Sequence, residues 1–118
     1  MRQQTVSVME ARRLLAKQIS EADFQRQVIA SAKAAGWLVQ HARAAYNKSG
    51  RVSTPIQGHA GYPDLTLLRD RLVLVELKKV GAYPSPDQRV WHERLRAAGA
   101  EFYIWRPTDW VQIDEVLA

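Results

Sequence analysis

Two carboxylates and an amine interrupt the most apolar stretch of this chain. Asp64, Glu76 and Lys78 stand beside and within Leu65–Leu68 and Leu72–Leu77. On an extended strand Glu76 and Lys78 leave the same face, roughly 6–7 Å apart. If a turn centred on Asp70 makes Leu68 face Leu72, the same register sets Asp64 opposite Glu76, with β-carbons about 4.5–5.5 Å apart. Two carboxylates that close force one to stay neutral unless a cation sits between them. Magnesium resolves such a conflict, because it accepts one or two carboxylates and keeps waters and phosphate oxygens as its other ligands. The turn decides the matter. A three-residue loop usually ends on a residue with positive φ, a role for which Arg71 is poor, and a two-residue loop would put the two acids on opposite faces. Taken singly, Asp64 after Gly61-Tyr62-Pro63 reads as a turn residue and Lys78-Lys79 as surface charge. Glu76 and Lys78 read as a solvated edge pair, which the apolar residues on both sides of them oppose.

The elements that must position these groups follow from caps and periodicity. Ser7 with Glu10 has capping-box spacing and predicts a first helix over Val8–Lys17. Ser20 caps a second helix to about Ala35, with Phe24, Val28, Ala32 and Ala35 as its apolar stripe and Gly36 as its stop. Residues 37–41 read as a strand. Leu65–Leu68 and Leu72–Leu77 are apolar on both alternating faces, as buried central strands are, and form an antiparallel hairpin. Ser85-Pro86-Asp87-Gln88 opens a helix to about Ala98, with Val90, Trp91, Leu95 and Ala98 inward and Gly99 ending it. Residues 101–105 form a strand parallel to Leu72–Leu77 by the crossover rule. Asp109 with Gln112 caps a closing helix. The class is α/β, a mixed sheet flanked by helices in the order α-α-β-β-β-α-β-α. Trp37, Trp91, Trp105 and Trp110 read as packing residues, and His92 as an exposed mid-helix residue.

The chain has 118 residues, one domain's worth, with 47% hydrophobic and 25% charged residues. It has no cysteine, which excludes disulfides and thiolate metal sites, so a metal must be held by oxygen or by one of the 3 histidines. No apolar run reaches the length of a membrane span and no leader opens the sequence, so the expected location is the cytoplasm. The net charge of +5 is uneven: residues 1–54 hold 9 Lys/Arg against 3 Asp/Glu, and residues 55–118 hold 8 against 9. A basic half suits a polyanionic partner. Residues 43–60 lack periodicity, are rich in Asn, Ser, Gly and Pro, and read as a long loop. With Arg43, Lys48, Arg51 and His59 and no acid, that loop reads either as a solvated excursion or as a DNA-contacting loop; on the second reading these residues, with Lys79, are the expected DNA contacts.

Gly61-Tyr62-Pro63-Asp64, a short gap, then Glu76-Leu77-Lys78 resembles the PD-(D/E)xK nuclease signature. With Ser85-Pro86-Asp87-Gln88 and the strand after Gly99, the chain more narrowly resembles the stand-alone VRR-NUC (virus-type replication-repair nuclease) domains, over about residues 20–110. The resemblance implies a restriction-endonuclease-like fold over residues 20–118, with residues 1–19 as a helical extension. It implies Asp64, Glu76 and the Leu77 carbonyl as ligands of Mg2+ or Mn2+, and Lys78 as the group that orients or deprotonates the attacking water or stabilises the phosphorane-like charge. It also implies Glu21 near the metal from the first core helix, where the residue serves equally as a first-turn acid. Gln88 would touch the site from its helix, although it is also the capping partner of Ser85, and one side chain doing both is not expected.

The activity so implied is hydrolysis of DNA phosphodiesters, structure-selective on branched DNA such as four-way junctions, leaving 5′-phosphate ends. The setting is replication and repair in a bacterial or phage-infected cell. A homodimer fits a symmetric junction that needs two cuts. The alternatives are a DNA-binding or assembly module without turnover, and a sequence-specific restriction-type nuclease, for which 118 residues leave little room for base reading.

Overall fold

The computed structural model describes residues 7–41, 45–46, 52–53 and 57–118. Arg43, Lys48 and Arg51, three of the expected DNA contacts, lie outside the described residues. α1 (Val8–Gln18) starts where Ser7 Oγ accepts the Glu10 N–H at 3.1 Å. It buries none of its residues, and Val8, Met9, Leu14 and Leu15 are exposed. α2 (Glu21–Ala34) starts the same way, with Ser20 Oγ accepting from Asp23 at 3.1 Å. Its stripe Phe24, Val28 and Ala32 is fully buried. Gly36, at φ 89°, then turns the chain into β1 (Leu38–His41).

The segment expected as a bare loop contains two short strands. β2 (Ala45–Tyr46) and β3 (Val52–Ser53) pair antiparallel as a separate two-stranded sheet. β4 (Leu65–Leu68) and β5 (Leu72–Leu77) form the expected hairpin, and Leu68 does face Leu72. The intervening three residues close with the Arg69 N–H donating to the Arg71 carbonyl at 3.2 Å. No described non-glycine residue has a positive φ, so the turn does without the left-handed residue that made Arg71 look unsuitable. α3 (Pro86–Ala97) leads to β6 (Phe102–Trp105), which pairs parallel to β5 as the crossover rule requires. The main sheet runs β1-β4-β5-β6, which makes β5 an interior strand. α4 (Trp110–Leu117) closes the chain. Asp109 precedes it without capping it; its carboxylate instead accepts the Arg106 N–H at 2.7 Å.

The sheet has two unlike faces. On one, Leu65, Leu67, Val73, Val75, Leu77 and Trp105 pack against Phe24, Val28 and Ala32 of α2 and Ile113 and Leu117 of α4. Alternation sends Leu74, Glu76 and Phe102 to the other face, beneath α3. β5 is buried on both faces as expected, but β4 is not, since Leu68 is exposed and Thr66 half-buried.

α3 also departs from its expected orientation. Val90 and Ala98 are exposed and Trp91 and Leu95 half-buried, while His92, expected in solvent, is buried. An apolar stripe predicts the inward face only when the surface beneath is apolar, and α3 covers a carboxylate. Of the four tryptophans, Trp37 and Trp105 are core residues. Trp91 and Trp110 are half-buried, Trp110 lying edge-on to Phe24.

Candidate active site

The hairpin register brings the two acids together. The β4–β5 ladder ends at Leu65 opposite Val75, so Asp64 and Glu76 are the next pair on the face that α3 covers. Asp64 Oδ2 accepts the Leu77 N–H at 2.8 Å, which fixes the aspartate against β5. Glu76 is 1% exposed, on an interior strand, and shares a hydrogen bond with Asp64. Lys78 Nζ lies 4.0 Å from Glu76 Oε1. Its backbone N–H extends the parallel pairing by donating to the Trp105 carbonyl at 3.0 Å, so Lys78 keeps the alternation of β5.

Burial and crowding set the protonation of this face. Glu76 is pushed up to about 9, first by desolvation, then by the hydrogen bond and the like charge of Asp64. Lys78 pulls it down, and Glu21 adds to the upward push. Without a cation, therefore, Glu76 holds a proton at neutral pH. Burial also lowers His92 below the ordinary histidine value, with Arg96 and Lys78 acting in the same direction, so its ring stays neutral.

α3 supplies both oxygens of Glu76 with partners. Gln88 Nε2 donates to Oε1 at 3.2 Å, and His92 Nε2 lies 3.4 Å from Oε2. Gln88 also completes the capping box, its Oε1 accepting the Ser85 N–H at 2.9 Å. One side chain does both jobs because the amide has two ends, an acceptor turned to the cap and a donor turned to the site. His92 is the residue that the sequence reading missed. The signal was present in its spacing: Gln88 and His92 are one turn apart and share a helical face.

The loop before Asp64 is pinned to the same helix. At Gly61, φ is 103° and a β-carbon would stand 2.5 Å from the Asp87 carbonyl carbon, so only glycine allows this approach. Trp91 Nε1 donates to the carbonyls of His59 (3.3 Å) and Ala60 (3.0 Å). These residues, with Asp87, Val90 and Arg94, line an open cavity of about 390 Å³. His59 and Lys79 are exposed. Glu21 is exposed in the first turn of α2, near enough for its charge to act on Glu76. His41, on edge strand β1, is hydrogen-bonded to Gln25 of α2.

The donors that face one another are hard oxygens, and a carboxylate pushed up by burial and by a neighbouring acid is an environment that a divalent cation relieves. Asp64, Glu76 and the Leu77 carbonyl thus fit such an ion in chemical type. Among the described residues no group of three or more His, Asp or Glu side chains is placed to hold a metal. Any ion here would rest on two carboxylates and complete its shell with backbone, water and substrate oxygens, as magnesium does.

A mixed sheet whose interior strand carries Glu76 and leads into Lys78, with Asp64 across the ladder and a glutamine helix above, is the arrangement that the resemblance to a nuclease domain implies. A solved structure titled "VRR_NUC domain" is similar to the chain at 29% sequence identity, covering 82% of this chain and 92% of its own, with a TM-score of 0.57. The similarity to a VRR_NUC domain agrees with the resemblance read from the sequence and supports the restriction-endonuclease-like fold class. No protein-family profile and no curated protein matches the sequence.

Proposed function

We propose that the chain is a divalent-cation-dependent deoxyribonuclease, acting on branched DNA with Asp64, Glu76 and Lys78 at its centre. The observation that carries this reading is the pairing of half-buried Asp64 with buried Glu76, the ammonium of Lys78 4.0 Å from Glu76. A bound Mg2+ or Mn2+ would polarise the scissile phosphate and lower the pKa of a water. Asp64 and Glu76, with the Leu77 carbonyl, hold the position of that charge. Lys78 offers three N–H donors to the water or to the developing charge on phosphorus. Gln88 keeps Glu76 turned towards Asp64. Glu21 adds negative charge at the rim, and Lys79, His59, Arg43, Lys48 and Arg51 meet the phosphate backbone, which the basic residues 1–54 favour. A homodimer would present two such centres to a symmetric junction. No helix among the described residues is long and apolar enough to cross a membrane.

The test is incubation of purified protein with labelled linear, flap and four-way-junction DNA, with Mg2+, Mn2+ or EDTA. Cation-dependent cutting that leaves 5′-phosphate ends and disappears in Asp64→Asn, Glu76→Gln and Lys78→Ala, with binding retained, is the expected result. Binding without cutting under every cation would instead mark a DNA-binding module on this fold.

A further inference from the structure

α3 buries a single residue, and that residue is a histidine. An apolar side chain would be the ordinary choice, since a buried imidazole must find a partner for its N–H or lose its hydration without compensation. His92 is 2% exposed, its ring packs on Phe102 with centroids 4.5 Å apart, and its Nε2 faces Glu76 Oε2 at 3.4 Å. Gln88, one turn earlier, holds the other oxygen of the same carboxylate. The two residues grip Glu76 from above, and Phe102 fixes the plane of the imidazole from below.

We propose that His92 is a positioning residue, which acts through Glu76 by donating its Nε2–H to Oε2 and so presetting the carboxylate for a divalent cation shared with Asp64. The inference rests on the cation-dependent reading given above. Among the described residues no three His, Asp or Glu side chains form a group placed to hold a metal, so the role assigned to His92 is beside the ligands. The charge logic agrees. When Glu76 is ionised it can only accept, so the neutral ring must carry its proton on Nε2 and leave Nδ1 bare. Partners of this kind fix the orientation of a ligating carboxylate, and their loss typically weakens metal binding. The 3.4 Å separation lies at the long end for a hydrogen bond.

The experiment is titration of the DNA-free protein with Mn2+ by calorimetry, alongside steady-state cleavage and DNA binding in EDTA. His92→Leu keeps the apolar packing on Phe102 and removes the donor. It is expected to weaken Mn2+ binding by roughly 10–100-fold and to lower kcat with KM for DNA unchanged. DNA binding in EDTA stays at the parent value. His92→Gln, whose amide can donate to Glu76, recovers most of the loss, and the exposed control Glu93→Ala behaves as the parent. In the Mg2+-loaded protein, nitrogen NMR finds the His92 proton on Nε2.

Mn2+ affinity of His92→Leu within about twofold of the parent, while Asp64→Asn and Glu76→Gln abolish it, overturns this inference and leaves the nuclease reading standing. A proton on Nδ1 overturns it too. If Asp64→Asn and Glu76→Gln leave Mn2+ binding intact, the nuclease reading itself falls and takes the inference with it. Should His92→Leu fail to fold, His92→Gln against His92→Met decides: Mn2+ affinity must separate the two, and equal values refute the role.

Discussion

The two faces of the sheet are built on opposite terms. Under α2 and α4 the strands present Val73, Val75 and Leu77 to Phe24, Val28, Ile113 and Leu117, a wholly apolar contact. Under α3 the same interior strand presents Glu76 to Gln88 and His92, and Glu76 and His92 are the polar residues shut away from water among those described. Neighbouring residues of one strand, 75 to 77, serve both faces, because alternation alone separates them. The first face supplies stability. The second holds a carboxylate in a setting that burial and a like charge make unfavourable, which folding tolerates only because the first face is sound.

Substitutions that affect one face and spare the other break this comparison most directly. Asp64→Asn or Glu76→Gln should reduce DNA cleavage to background in a gel assay while the circular dichroism spectrum stays that of the parent. Phe24→Ala should do the reverse, lowering stability in urea by about 3–5 kcal/mol with no direct effect on cation binding in the fraction that remains folded. pH sharpens the contrast. Glu76 titrates near 9 in the fold against 4.5 for its ordinary value. Its contribution to stability is therefore fully present below pH 4.5 and is lost as pH rises towards 9. Metal-free Glu76→Gln should accordingly melt several degrees above the parent at pH 8 and close to it at pH 4.5. Mg2+ should raise the melting temperature of the parent at pH 8 and leave the variant unmoved. The smallest effect separates the two ends of Gln88. Ser85→Ala removes only the cap and costs about 1 kcal/mol in urea, whereas Gln88→Ala should also lower kcat.

Much of the scaffold was legible because local chemistry agreed with the tertiary structure. Ser7, Ser20 and Ser85 start their helices through their own side chains, and the short connection around Asp70 allowed the register to be read residue by residue. That register is what placed Asp64 beside Glu76. The failures share one cause. Helical periodicity assigns apolar residues inward, so Val90 was assigned to the core and His92 to solvent, whereas a helix over a carboxylate turns its polar residues in. The β2–β3 pairing carried no alternating pattern at two residues per strand and could not be read from periodicity. Gln88 was misjudged because the two ends of its amide were counted as one group.

Gly61 ties the strand that follows it to α3 through backbone alone, with no side chain between. The aspartate three residues on is thus held from two sides, by the β5 backbone and by the helix that carries Gln88 and His92. The spacing of the two acids is set by the hairpin and by α3, downstream of Gly61. A methyl group at this one position would uncouple them, making the smallest residue on the path the one least open to exchange.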